Sequence, residues 1–338
     1  MNTLLTRGRA IRRSLDRQRT LSAPGDRGPW SIILAGGEGE RIKPFIMRWL
    51  KRHKPKQYCA FVGTRSMLQH TLARADLLSR RDRQVTVIKK SHLSDARHQF
   101  TGRTLETVLL QPNNCDTGAG IFLPLTYVRA RDPHATVVVH PSDHFIYPES
   151  RFAEVVSAAV HAAKLYPGNL VLLGVFPESA EPDYGWIIPG EELSCPGIRI
   201  RRVQGFLEKP GPVQAQAAMS SGGLWNTLIF AVKAETLWSM GRRCFPEMMR
   251  LFEQLGAAIG TPREKAILEG IYHSMPVRNF SSGLLTRVVE HVAVMELDGV
   301  VWSDWGRPER IVDTIRRLDK TPAFPWACLK PEIQPQSS

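Results

Sequence analysis

The sequence predicts an α/β fold with a mainly parallel, mixed central sheet flanked by helices. Two observations carry that prediction. Short apolar, β-branched runs alternate with segments of helical spacing from Trp30 to about residue 176, as βαβ units do. The first run also empties directly into a glycine-rich turn, Gly36-Gly37-Glu38-Gly39-Glu40-Arg41. Glycines there let backbone N–H groups approach an anion closely, with positive φ available at no steric cost.

The elements follow in order. Trp30–Ala35 reads as a buried parallel strand, and residues 36–57 as a loop. Ser66–Ser79 has Met67, Leu68, Leu72, Ala75 and Leu78 at three- and four-residue intervals, which predicts a helix. Gln84–Lys89 and Thr107–Leu110 are short strands. Thr117–Ala130 is a helix, Ala135–His140 a strand, Arg151–Leu165 a long helix and Asn169–Val175 a strand. The second half is more mixed. Ile198–Leu207 and Leu224–Val232 read as strands, Val213–Ser220 and Ala234–Met240 as helices, and residues 246–272 as helical. Val292–Leu297 and Gly299–Trp302 read as strands, Pro308–Leu318 as a helix, and residues 321–338 as an irregular, Pro-rich tail.

One domain over residues 29–320 is expected, in two halves at about 29–176 and about 177–320. Its 338 residues and 43% hydrophobic content suffice for a sizeable core. No apolar run approaches the roughly 18 residues of a membrane span, and the start lacks the apolar stretch of a secretory signal. Five scattered cysteines without CxxC spacing argue for reduced thiols in a cytoplasmic protein, against a zinc site or a disulfide frame. The net charge of +13 is partly concentrated in residues 1–28, which hold seven arginines and are expected to form a basic, flexible arm. A solvated arm is the plain expectation, and a weak contact with an anionic surface the alternative. No stable nucleic-acid binding is expected, because no aromatic residues interleave the arginines. A homo-oligomer is compatible with the sequence.

Five constellations carry chemistry. In the first, Arg41 and Lys56, the latter in Lys54-Pro55-Lys56-Gln57, can place positive charge on the phosphates that the glycines cradle. In the second, His140-Pro141-Ser142-Asp143-His144 sets a carboxylate at the end of a strand, where ligands bind in open α/β sheets. Asp143 there could hold Mg2+ against a triphosphate or simply cap a turn, and His144 reads as a structural hydrogen-bonding residue. The third is Phe206-Leu207-Glu208-Lys209-Pro210, a point charge beside a hydroxyl acceptor, or an exposed charged turn. The fourth, Leu224-Trp225-Asn226-Thr227-Leu228-Ile229-Phe230, holds an Asn that can donate and accept, or an edge-strand residue. The fifth, Trp302-Ser303-Asp304-Trp305-Gly306, puts a second carboxylate on a tight turn, for a metal or an Asx-turn.

In this order the five resemble the sugar-1-phosphate nucleotidyltransferases, and among them the mannose-1-phosphate guanylyltransferases, over roughly residues 30–318. The family's G-G-x-G-x-R-x-x-P and P-K-Q are matched by Gly36, Gly37, Gly39, Arg41, Pro44 and Pro55-Lys56-Gln57. Its Pro-Ala-Asp-His is Pro141-Ser142-Asp143-His144, its Glu-Lys-Pro is Glu208-Lys209-Pro210, and its Trp-x-Asp-x-Gly is Trp302 to Gly306. Its Leu-Trp-Asn-Ser-Gly-x-Phe becomes Leu224 to Phe230, and its Gly-Tyr-Gly-Tyr-Ile resembles Asp183-Tyr184-Gly185-Trp186-Ile187.

The resemblance implies a Rossmann-like nucleotidyltransferase fold and Mg2+-dependent transfer of a nucleotidyl group from a nucleoside triphosphate, GTP expected, to a sugar 1-phosphate, mannose 1-phosphate expected. Pyrophosphate leaves, and the nucleotide-sugar serves polysaccharide or glycan synthesis. It implies catalytic roles for Arg41, Lys56 and Asp143, and Mg2+ on Asp143 and Asp304. It implies nucleotide contacts at Leu34, Gly36, Gly37, Gly39, Gln111, Thr117 and Ser142, and sugar-phosphate contacts at Gly185, Glu208, Lys209 and Asn226. Departures fall beside the base and sugar. The family's Glu-Pro-x-x-Arg-Asn-Thr-Ala-Pro-Ala reads here Gln111-Pro112-Asn113-Asn114-Cys115-Asp116-Thr117-Gly118-Ala119-Gly120, and its Ser-Ile-Asp is Ser281-Ser282-Gly283. A carboxylate accepts from two guanine donors, whereas Gln111 offers one donor and one acceptor, which also fits uracil or thymine. The alternatives are therefore another base or sugar (UTP, dTTP, glucose 1-phosphate), or a non-catalytic regulator that binds nucleotide-sugar.

Overall fold

The computed structural model describes residues 27–104 and 107–329. Most of the basic arm and the end of the Pro-rich tail lie outside the described residues. The strands are β1 (Trp30–Ala35), β2 (Gln84–Lys89), β3 (Val108–Gln111), β4 (Thr136–Pro141), β5 (Phe145–Tyr147), β6 (Leu170–Val175), β7 (Gly185–Leu193), β8 (Ile200–Glu208), β9 (Leu224–Lys233), β10 (Val292–Glu296) and β11 (Val301–Ser303). Nine of them form one sheet in the order β3-β2-β1-β4-β9-β6-β10-β8-β7. β1 pairs parallel with both β2 and β4, while β9 runs antiparallel between β4 and β6. Only β9 and β8 oppose the common direction, so the sheet is mixed and mainly parallel. β5 and β11 pair as a separate ribbon.

β4 is buried at every position and β1 at all but one, which explains their largely apolar sequences. Alternate residues of β4 serve opposite faces: Val137 and Val139 join one core cluster, Val138 the other. The longer helices are α1 (Lys43–Leu50), α2 (Met67–Asp76), α3 (Asp116–Arg131), α4 (Glu149–Leu165), α5 (Pro212–Ser220), α6 (Ala234–Cys244), α7 (Pro246–Ala258), α8 (Glu264–Ile271) and α9 (Pro308–Arg317). α3, α6 and α7 pack on the first face and α4 on the second. α2 starts at a capping box, with Ser66 Oγ accepting from the Gln69 N–H at 3.1 Å and Gln69 Oε1 from the Ser66 N–H at 3.0 Å.

Several expectations change. The loop expected at 36–57 contains α1, which tolerates Pro44 because the first turn needs no N–H there. The helical stretch expected at 246–272 splits into α7 and α8 around Gly260, at φ 79°. β5 and β7 are strands the sequence reading did not assign. Residues 321–329, assigned from sequence to an irregular tail, dock instead. Phe324 is buried among Phe45, Phe61 and Trp305, beneath α1 and α9, and Pro322 bridges Val62. All five cysteines are free; burial pushes the Cys59 thiol up to about 12, which keeps it protonated.

Candidate active site

β1 and β4 lie side by side in parallel and end at the same edge of the sheet. The turns after them bring the first two motifs together. The Ser142 N–H donates to the Leu34 carbonyl at 3.0 Å, tying one turn to the other, and the Ser142 side chain is buried there. Gln57 braces the glycine loop from behind: Nε2 donates to the Ala35 carbonyl at 2.9 Å and to the Gly37 carbonyl at 2.8 Å. The Tyr58 hydroxyl adds a bond to Ala35 at 3.0 Å. Gly39 has φ 65°, and a Cβ there would stand 3.0 Å from Lys56 Cβ, so both backbone and space require glycine. Glu38 is turned aside onto Lys89 and His92. Burial works to raise its carboxyl, and those two partners hold it below its ordinary value.

Lys56 is the centre of the charged cluster. It is 4% exposed, with Nζ 2.8 Å from Asp143 Oδ2 and donating to the Asp304 carbonyl at 2.6 Å. Asp304 is caged. Its Oδ1 accepts from the Tyr184 hydroxyl at 2.9 Å, the Gly306 N–H at 2.9 Å and Arg310 Nη1 at 2.8 Å. Its Oδ2 accepts from Arg41 Nη2 at 3.1 Å. A Cβ on Gly306 would lie 2.5 Å from that Oδ2 and 2.7 Å from Arg41 Nη2, so any side chain there would push the Asp304–Arg41 pair aside. Arg41 (3.5 Å), Arg307 (2.5 Å) and Arg310 (3.3 Å) all meet Asp183, and Arg310 reaches Glu181 at 2.7 Å. Burial pushes the Asp304 carboxyl up, but the Lys56 and Arg310 charges and the Gly306 N–H hold it well below the usual carboxylate range. Asp143 behaves likewise, with burial opposed by Lys56 and His144. His144 Nδ1 accepts from the Trp302 indole at 3.3 Å, which puts the ring proton on Nε2, 3.8 Å from Asp143 Oδ1. It is the structural hydrogen-bonding residue expected from the sequence.

A second cradle forms where β7, β8 and β9 meet. A Cβ on Gly185 would stand 3.0 Å from Glu208 Oε2 and 3.3 Å from Asn226 Cβ. Burial raises the Glu208 carboxyl, Lys209 draws it down and Asp116 adds to the rise. Lys209 is exposed and makes no ion pair among the described residues. Asn226 Oδ1 accepts from the Leu228 N–H at 3.0 Å, an Asx-turn that holds Leu228 at φ 56° where the resembled motif has glycine. Asp116, Lys209, Leu228 and Trp305 all take positive φ here. Each costs on the order of 1–2 kcal/mol, and such strain gathers at functional sites.

Gln111, at the end of β3, is 4% exposed, and its Oε1 lies 3.6 Å from where a Gly36 Cβ would be. Its Nε2 is buried without a hydrogen-bond partner among the described residues. Thr117 is placed differently from the others. Its Oγ1 accepts from the Phe280 N–H at 2.8 Å, pinning α3 to the Phe280–Gly283 turn. Sequence reasoning missed Tyr184 and Arg310 as donors to Asp304, and the Asp183–Arg307 pair beside them. The only available signal was the pair of arginines directly after the Asp304 turn.

The family model described as Nucleotidyl transferase matches residues 30–321. Mannose-1-phosphate guanylyltransferase 2 of Escherichia coli O157:H7 is 29% identical over 238 residues, 68% of this chain and 48% of that protein. The xanthan biosynthesis protein XanB of Xanthomonas campestris is 32% identical over 206 residues, 60% of this chain and 42% of that protein. The chain spans about half the length of the curated relatives it matches. A crystal structure described as mannose-1-phosphate geranyltransferase from Thermus thermophilus superposes with a TM-score of 0.71 at 26% identity, covering 84% of this chain and 78% of that one.

Proposed function

The chain belongs to the nucleotidyl transferase family, and from that premise we propose that it transfers a nucleotidyl group from GTP to mannose 1-phosphate with Mg2+, releasing pyrophosphate. The observation that carries the reading is Lys56 Nζ, which joins Asp143 to the Asp304 turn beside a braced glycine loop, with a second cradle of Gly185, Glu208 and Asn226 beginning next to Tyr184, whose hydroxyl holds Asp304. Two anionic substrates would meet between these groups. A phosphate oxygen of the sugar 1-phosphate forms a bond to the α-phosphorus as the bond from that phosphorus to the departing pyrophosphate oxygen breaks. No protein nucleophile is needed. The chain's work is positioning and charge stabilisation: Arg41 and Lys56 offset charge moving onto the leaving group, Lys209 grips the sugar phosphate, and Glu208 and Asn226 hold sugar hydroxyls.

Asp143 suits Mg2+, which takes one or two carboxylates together with phosphate oxygens and water. Its side chain is 38% exposed, and its Oδ1 meets only His144, at 3.8 Å. Asp304 carries four donors, so its share in holding the ion follows once Arg41 turns from it onto phosphate. When bound, Mg2+ neutralises charge on the triphosphate oxygens. Pyrophosphate release, assayed over GTP, UTP, dTTP, ATP and CTP with several sugar 1-phosphates, tests the proposal. Release with no pair refutes it.

One observation favours a second reading of the base. The unpartnered Gln111 amide offers one donor and one acceptor, the complement of uracil or thymine as well as guanine. On that reading UTP or dTTP outruns GTP in the same assay.

A further inference from the structure

At the opposite edge of the sheet, where β1 and β4 begin, lies a pocket of about 370 Å3. Among the described residues its charged lining is Arg27, Arg83, Arg131, Lys164, Lys233 and, as the one carboxylate, Asp132. Asp132 is already satisfied: Oδ2 accepts from Arg83 Nη2 at 2.7 Å and from the Trp30 indole at 3.1 Å. Arg83 is thereby neutralised, and its other arm donates to the Gly28 carbonyl at 2.8 Å. Arg27 and Arg131 are exposed, and neither is in an ion pair among the described residues. Lys233 Nζ has only neutral partners there, the His134 carbonyl at 3.1 Å and Thr136 Oγ1 at 3.3 Å.

Helix-dipole compensation explains Arg131 and Lys164, in the last turns of α3 and α4, but neither Arg27 nor Lys233. Lys164 comes from the end of α4, Lys233 from the end of β9 and Arg27 from the segment before β1. Four elements therefore bring cations to one concavity, and an anion there offsets the repulsion among Arg27, Arg131 and Lys233. The volume is within the range of sites that hold a small ligand.

We propose that this pocket is a second, non-catalytic site for a phosphate-bearing anion, held by Arg27, Arg131 and Lys233. The phosphate could be free or the headgroup of a lipid, and the two sources separate experimentally. Titration calorimetry of the full chain with pyrophosphate is expected to resolve two classes of site. Arg131→Glu and Arg27→Glu weaken one class by about tenfold or more, and Arg41→Ala weakens the other. Sedimentation with phosphatidylcholine vesicles, with and without phosphatidylglycerol, is the second arm; phosphatidylglycerol-dependent binding lost in Arg131→Glu assigns the headgroup as the source. Circular dichroism melts establish that the variants are folded. Two Arg-sensitive classes for pyrophosphate, or vesicle binding that Arg131→Glu abolishes, sustain the site. Pyrophosphate and vesicle isotherms that are both unchanged in folded Arg131→Glu and Arg27→Glu overturn it.

Discussion

Asp143 and Asp304 are alike in sequence and opposite in surroundings. Asp143 meets Lys56 and a distant His144, while Asp304 is closed in by four donors. Asp143→Asn keeps an acceptor for Lys56 while removing the charge, so the fold is expected to stay close to wild type. Turnover is expected to fall by about 10²–10³. Steady-state pyrophosphate release beside a thermal melt checks both halves, and wild-type turnover in the variant would rule out Asp143 as a metal ligand. Glu208 makes a different case. Its raised carboxyl means the folded chain binds that proton more tightly than the unfolded chain does. Stability therefore falls as pH rises from about 4.3, the unfolded value, through the higher folded one, and the cost is fully present above it. Glu208→Gln removes the cost. The variant is expected to melt higher than wild type at neutral pH and alike below about pH 4, while its KM for sugar 1-phosphate rises. Equal melts at both pH values would remove burial as the cause.

Among elements, the glycine loop owes its shape to Gln57, which grips carbonyls on either side of Gly36. Gln57→Ala takes one donor from each carbonyl, leaving Ala35 with the Tyr58 hydroxyl, and is expected to cost about 1 kcal/mol. It should also raise the KM for nucleoside triphosphate more than it lowers kcat. Denaturant unfolding and initial rates check this; an unchanged KM would show that the loop holds itself. The elements legible in the sequence were short, largely apolar runs such as β1 and β4, and long helices such as α4. α1 was hidden because Lys43–Leu50 is short and carries Pro44 in its own first turn. β7 was hidden because its bulged register against β8 breaks strict alternation. The site divides in the same way. Residues embedded in compact motifs, such as Arg41, Lys56, Asp143, Glu208, Asn226 and Asp304, could be picked out and are brought into two neighbouring cradles. Arg310 could not, because only tertiary folding carries α9 onto Asp304 and places its guanidinium 4.4 Å from the Tyr184 ring centroid.

For the molecule as a whole, β4 links stability to pH through His140, which lies 2% exposed within the sheet. Burial, with the nearby Arg74 charge, lowers its imidazole to about 3. The unfolded chain protonates at about 6.5, so stability is fully present above that value and is lost as pH falls toward about 3. His140→Leu is expected to flatten the fall in melting temperature between these limits, and an unchanged slope would assign it to other groups. Among the described residues no helix is long and apolar enough to cross a membrane. The most direct measurement is pyrophosphate release by the full chain, with Mg2+, over the matrix of five nucleoside triphosphates and several sugar 1-phosphates. Release that requires both substrates, is highest with GTP and mannose 1-phosphate, and collapses in Asp143→Asn is the predicted result. No release with any pair, from folded protein that still binds nucleotide, would contradict it.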